Sequence, residues 1–251
     1  MKVRRVIALL PICLVVTVCV NAQQDFAGNT VFSAKDSVVN ALYQKGKAYF
    51  LRAEYTLAAE SFSKVLSLKP DMAKAYNDRG SCYRRMNLHE KAVSDYTEAI
   101  RYRPCAAYYC NRGSAQLKLE HIDEAIADYS IAIALDSTYE QAFNNRGFAY
   151  LESGSYRKAV EDFTVCIRRN PTNCKAFNNR GIAYYKLKEF ELSIQDFDKA
   201  ISLKDDYGVA YLHRGNLKEM LDDDAGACED WTKAAALGVK QAENCLENCD
   251  K

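Results

Sequence analysis

The chain has 251 residues, 49% of them hydrophobic and 27% charged, with a formal net charge of +1. That composition excludes a disordered chain, and the near balance of charge provides none of the basic footprint that nucleic-acid binding requires. Only three histidines accompany ten cysteines.

At the N-terminus, Lys2, Arg4 and Arg5 precede an apolar run from Val6 to Val20, relieved by Pro11 and Thr17, and then Val20-Asn21-Ala22. The run is shorter than the roughly 20 residues a bilayer core demands. With a basic head before it and small residues after it, it predicts a cleavable secretory signal over residues 1–22, cut before Gln23. An uncleaved anchor is the competing reading. Lipid attachment is disfavoured because Cys19 follows Val18 and Cys13 follows Ile12, not small residues. Cleavage would leave 31 Lys and Arg against 33 Asp and Glu, a charge of −2, and eight cysteines. An even number of cysteines in an exported chain makes disulfides plausible. The expectation is a secreted or periplasmic protein without a membrane span after cleavage, in which residues 23–38 form a linker.

From residue 39 the chain is periodic. The hexapeptide AFNNRG occurs at residues 142–147 and 176–181, and stepping by its period finds Gly46, Gly80, Gly113, Gly147, Gly181 and Gly215, 33 or 34 residues apart. Four residues before each glycine stands an apolar or aromatic residue: Leu42, Tyr76, Tyr109, Phe143, Phe177 or Tyr211. Twelve after it comes Ala or Ser (Ala58, Ala92, Ala125, Ala159, Ser193, Ala227), and sixteen after it an aromatic (Phe62, Tyr96, Tyr129, Phe163, Phe197, Trp231). Apolar residues four apart place a stripe on each of two helices, and a glycine facing a small residue lets their backbones approach. Each unit is therefore a helical hairpin. Pro70, Pro104 and Pro171, 24 residues after their glycines, end the second helix.

This order of large residue, Gly, Tyr, Ala, aromatic and Pro in 34 residues resembles the tetratricopeptide repeat. The resemblance covers residues 39–241 as six units: 39–72, 73–105, 106–139, 140–173, 174–207 and 208–241. It implies an all-α, right-handed solenoid. Ser137, Asp205 and Val239 replace the proline in three units, and Gln116 and Lys218 stand where other units have Tyr49, Tyr83, Tyr150 and Tyr184.

The residue before the glycine and the one fifteen after it pair by type: Arg79 with Asp95, Arg112 with Asp128, Arg146 with Asp162, Arg180 with Asp196, and Arg214 with Asp230. Lys45 and Ser61 replace both members in the first unit. This predicts a guanidinium–carboxylate bond across the hairpin or across the junction between units. After Trp231, Gly238 stops one helix, and a last amphipathic helix from Val239 to Cys249, its remainder and the tail occupying 242–251, is expected to cap the array. The segment AGACEDWTKAAALG resembles the closing unit of tetratricopeptide proteins of bacterial envelopes. That resemblance implies a disulfide between Cys228 and Cys249, with Cys245 as the competing partner. Cys82 and Cys166 read as small buried fillers, and Cys105 and Cys110, flanking a turn, as a pair able to bridge.

No HExxH, CxxC or glycine-rich phosphate pattern is present, so the reading is a non-enzyme without cofactor. Stacked hairpins leave a concave groove, which in the resembling family receives a peptide or protein segment. The family register puts Gln44, Asp78, Asn111, Asn145, Asn179 and His213, two before each glycine, in this groove, with Asn144 and Asn178 among the residues three before. Asn111, Asn145 and Asn179 would form a ladder of amides able to bond a partner's backbone. Arg85, Lys118 and Tyr185 join them in a basic and apolar lining suited to an acidic, hydrophobic partner. The chaperone carboxylate clamp of the family is absent, because Lys and Asn do not occupy the pairs Tyr43/Lys47, Asn77/Ser81 and Cys110/Ser114. Competing readings are a self-assembling or envelope-complex subunit, and a thiol-redox or metal protein using Cys105, Cys110, Cys245 and Cys249.

Overall fold

A computed structural model describes residues 34–247 and Cys249. The expected signal and the linker up to residue 33 lie outside the described residues. The described chain forms six helical hairpins and a short last helix. The hairpins are α1 (Ala34–Leu51) with α2 (Tyr55–Leu68), α3 (Ala73–Arg85) with α4 (His89–Tyr102), α5 (Ala106–Lys118) with α6 (Ile122–Leu135), α7 (Glu140–Glu152) with α8 (Tyr156–Arg169), α9 (Cys174–Lys186) with α10 (Phe190–Leu203), and α11 (Gly208–Met220) with α12 (Asp224–Ala236). The last helix is α13 (Lys240–Leu246). No described helix is long and apolar enough to cross a membrane.

Two boundaries differ from the sequence expectation. Helix α1 takes in residues 34–38 of the expected linker, with Asp36 complementing the dipole in its first turn. Helix α13 ends at Leu246, one turn short of the expected end of the capping helix at Cys249.

Within each hairpin the glycine of the first helix sits under the aromatic of the second. A Cβ built on Gly181 would lie 2.7 Å from Phe197, and one on Gly215 would lie 2.8 Å from Trp231. Such contacts are closer than any side chain tolerates, which is why the position is glycine. The small residue twelve on completes the fit. Ala58, Ala92, Ala125, Ala159 and Ala227 are fully buried, and Ser193, also buried, turns its hydroxyl onto the Gly181 carbonyl at 2.8 Å.

The turns inside the hairpins share one geometry. Ala53, Asn87, Glu120, Gly154, Lys188 and Asp222, each seven after the repeat glycine, have φ between 59° and 75°. The next N–H reaches back to the carbonyl five residues earlier, as in Leu88 to Tyr83 at 2.9 Å and Ser155 to Tyr150 at 2.8 Å. This is a Schellman-type closure. Five of the six residues carry a side chain in a left-handed conformation that costs roughly 1–2 kcal/mol.

The arginine pairs hold the array in two directions at once. In each of the five, Nε and Nη2 donate to the two carboxylate oxygens at 2.6–2.8 Å, bridging the two helices of one hairpin. The remaining Nη1 crosses to the second helix of the preceding hairpin. It meets Ser63, Thr97, Ser130 and Thr164 at 2.9–3.1 Å in four units, and Asp198 in the last. Rings flank the guanidinium, as with Phe143 and Tyr150 around Arg146, both 5.7 Å away. Where the second ring is lacking, Lys218 bonds Asp230 at 3.0 Å, and Gln116, with its amide nitrogen facing the carboxylate, reaches Asp128 at 2.8 Å. Burial lifts the Asp162 and Asp196 carboxyls above their usual range even beside their arginines, whose own protons are held more tightly by the carboxylates. Desolvation is thus the larger contribution at the acid.

At the end of the array, Gly238 takes φ +82° and turns the chain into α13, whose Ala242 packs with Trp231, Ala234 and Leu212. A disulfide between Cys228 and Cys249 fixes the segment to α12, and Cys245 stays a free thiol. Cys105 and Cys110 are unbridged, the latter fully buried.

Candidate interaction groove

Beyond consecutive neighbours, the helix contacts run α3 to α5, α5 to α7, α7 to α9 and α9 to α11. First helices therefore crowd together along the inner side of the curve. Their C-terminal halves open into three clefts. The largest of these three, of about 600 Å³, lies between α3, α5 and α7 and is walled by Arg84, Arg85, His89, Lys118, Asn144 and Asn145, with Leu117 and Phe148 as its apolar side. A second, of about 180 Å³, lies between α1 and α3 beside Lys47, Phe50 and Asp78. The third, of about 220 Å³, lies between α9 and α11 beside Ile182, Tyr185, Lys186 and His213.

Asn111, Asn145 and Asn179, expected as an amide ladder for a partner, are each bonded to another residue of this chain. At four of the five junctions the residue three before one glycine meets the residue two before the next; Asn144 and Asn179 make no such bond. Tyr43 donates to Asp78, Asn111 Nδ2 donates to Asn77 at 2.9 Å, and Asn145 Nδ2 reaches Ser114 Oγ at 3.3 Å and Cys110 Sγ at 3.6 Å. His213 Nδ1 donates to Asn178 Oδ1 at 2.9 Å. These bonds tie successive inner helices together and use part of the capacity that a partner backbone would need.

Asn178 is a correction to the sequence expectation. It is 2% exposed, donates to Asn179 at 3.3 Å and accepts from His213, so it faces the junction and not the groove. Asn144 and Asn145 are half-buried and bonded to each other at 3.4 Å on the wall of the large cleft. The oxygen of half-buried Asn179 accepts from Asn178, and its Nδ2 has no protein partner among the described residues. Arg85 and Lys118 are exposed in the large cleft, and Tyr185 stands in the third. The sequence put His213 in the groove without a partner, and His89 was not singled out as a cleft residue. The 35-residue separation of Asn178 and His213 is the signal that could have paired them.

Desolvation alone pushes the imidazole of His213 down to about 4, so it is neutral at physiological pH. Burial pushes the Cys82 and Cys166 thiols up to about 12 and that of Cys110 up to about 11, which keeps them protonated and unreactive. Among the described residues no group of three or more His, Cys, Asp or Glu side chains is placed to hold a metal.

Family models of the tetratricopeptide repeat match residues 39–72, 73–104, 140–173 and 174–207, and a further repeat model matches 117–154. The chain belongs to the tetratricopeptide repeat family. Among solved structures of this fold, Pseudomonas aeruginosa PilF is 20% identical with a TM-score of 0.71, covering 85% of this chain and 99% of its own. YrrB, described as a TPR protein with an unusual peptide-binding site, is 21% identical with a TM-score of 0.61, covering 70% and 95%. Among curated proteins, the mitochondrial import receptor subunit TOM70 of Homo sapiens is 32% identical over 81 residues, 31% of this chain. The match spans only 13% of that receptor's length. At Gln116 and Lys218 the side chain bonds the repeat aspartate, where the tyrosine of other units flanks the arginine instead.

Proposed function

We propose that this tetratricopeptide repeat protein is a non-enzymatic interaction scaffold that receives an extended segment of a partner protein along its inner groove. The observation that carries the reading is the row of three clefts opened between successive first helices, with polar and apolar side chains exposed together. Phe148, 44% exposed in the central cleft, gives the row an apolar contact beside its cations and amides. The peptide-binding description attached to YrrB supports a ligand of the same kind. The reading is tested with peptides selected from a random display library against the full chain. They are expected to lose affinity on Phe148→Ser in the groove and to be indifferent to Leu192→Ser on the outer helix α10. The reverse pattern moves the interaction off the groove.

The proposal extends to address. The apolar run and basic head of residues 1–22 support export, and the Cys228–Cys249 bond suits an oxidising compartment. An exported protein beginning at Gln23 is expected from N-terminal sequencing. A chain retaining Met1 contradicts it.

A further inference from the structure

The large cleft is unlike the other two in its charge. Arg84, Arg85 and Lys118 converge on it with His89, and none of its lining residues is acidic. None of the three cations forms an ion pair among the described residues, whereas the repeat arginines are all satisfied by carboxylates. Asp78 on α3 is committed to Tyr43 and Asn77, and Asp95 and Asp128 on the second helices of the two hairpins are committed to Arg79 and Arg112. A second observation points the same way. Arg84 Nε and His89 Nδ1 are both buried without a hydrogen-bond partner. A buried guanidinium nitrogen left unbonded is costly, and the missing partner must be an acceptor.

We infer that this cleft is an acid-recognition site, which takes a side-chain carboxylate of the segment lying in the groove between Arg84, Arg85 and Lys118. The inference rests on the groove reading and deepens it by naming the partner's chemistry. Arginine offers a carboxylate two parallel donors, and Lys118 adds a point charge from the next inner helix. Leu117 and Phe148 on the same rim favour an apolar residue beside the acid. At about 600 Å³ the cleft is sized for one or two side chains of an extended peptide, within the range of ordinary ligand sites. Arg84 stands where the other clefts have Phe50 and Tyr185, and Arg85 and Lys118 share the position of Leu51 and Lys186, so cations are concentrated at this point of the array.

The test uses peptides selected on the full chain and synthesised with amidated C-termini, so that only side-chain acids contribute. Replacing the Asp or Glu of a selected peptide with its amide is expected to weaken binding about tenfold or more, the scale of one lost charge-assisted contact. Arg85→Gln with Lys118→Gln, both exposed and remote from the core, is expected to weaken it equally. Lys64→Gln with Lys199→Gln removes the same charge from the outer helices and is expected to leave affinity within about twofold. Peptides that tolerate the amide yet still lose affinity on Phe148→Ser overturn acid recognition and leave the groove reading standing. Peptides indifferent to Phe148→Ser overturn the groove reading itself. Displacement by inorganic phosphate but not by acetate at matched ionic strength reassigns the cleft to a phosphoryl group and overturns the carboxylate assignment.

Discussion

Replacing Arg146 by Met tests whether the repeat arginines act as paired braces or as separate surface charges. The guanidinium is 20% exposed and its partner Asp162 only 5%, so removing the cation strands a carboxylate with little access to water. Breaking a buried pair from one side costs about 3–5 kcal/mol. Arg146 also bonds Ser130 on the preceding hairpin at 3.1 Å, so the damage falls at the middle of the array, where the third and fourth units meet. Asp162→Asn keeps the shape and removes the charge. The guanidinium left behind can still turn toward solvent, and the cost is smaller, about 1.5–3 kcal/mol for a hydrogen bond to a charged group. In the double variant no buried charge is unpaired, so its cost is expected to fall short of the summed single costs by about 2 kcal/mol. Urea unfolding followed by far-ultraviolet circular dichroism on the four proteins measures the difference. Singles that each cost less than about 1 kcal/mol, or a double equal to the sum within about 0.5 kcal/mol, would refute the reasoning, because exposed and independent charges behave that way.

Three other outcomes are expected. Gly181→Ala places a methyl 2.7 Å from the Phe197 ring and is expected to destabilise by about 1–3 kcal/mol, despite alanine's better helix propensity; an unchanged melting temperature would contradict the close approach. His213, with its imidazole held down at about 4 against 6.5 in the unfolded chain, makes stability rise with pH across that window. The unfolded chain takes up a proton there that the folded chain refuses, so about 3 kcal/mol is lost on acidification from pH 6.5 to 4, with no further change from this group below. His213→Gln is expected to flatten that part of the profile, and an identical loss in both proteins would contradict it. Cys228→Ser is expected to cost about 2–4 kcal/mol and to loosen α13 first, which hydrogen exchange at Ala242 would register.

The repeat was legible because its causes are local and recur six times. Gly181 must be glycine wherever Phe197 stands sixteen residues later, and Arg146 and Asp162 keep a fixed spacing because one hairpin geometry sets it. The same reasoning stopped at interactions whose partners are chemically ordinary. Ser63, Thr97, Ser130 and Thr164 receive the third arginine nitrogen, yet hydroxyls on a helix face carry no signal of their own. The left-handed turn residues were hidden because Ala53, Glu120 and Lys188 occupy a conformation that composition assigns to glycine. Asn178 was misplaced because a position facing the groove in one repeat faces the junction in another, according to whether the next helix offers a partner such as His213. The basic cleft was visible only as scattered cations, since Arg84 and Lys118 are brought together by the stacking of α3 on α5.

The most direct measurement is hydrogen–deuterium exchange on the full chain with and without a library-selected peptide. Protection confined to the C-terminal halves of α3, α5 and α7 is the predicted result. Protection of the outer helices α4, α6 and α8, with the first helices unchanged, would contradict the account.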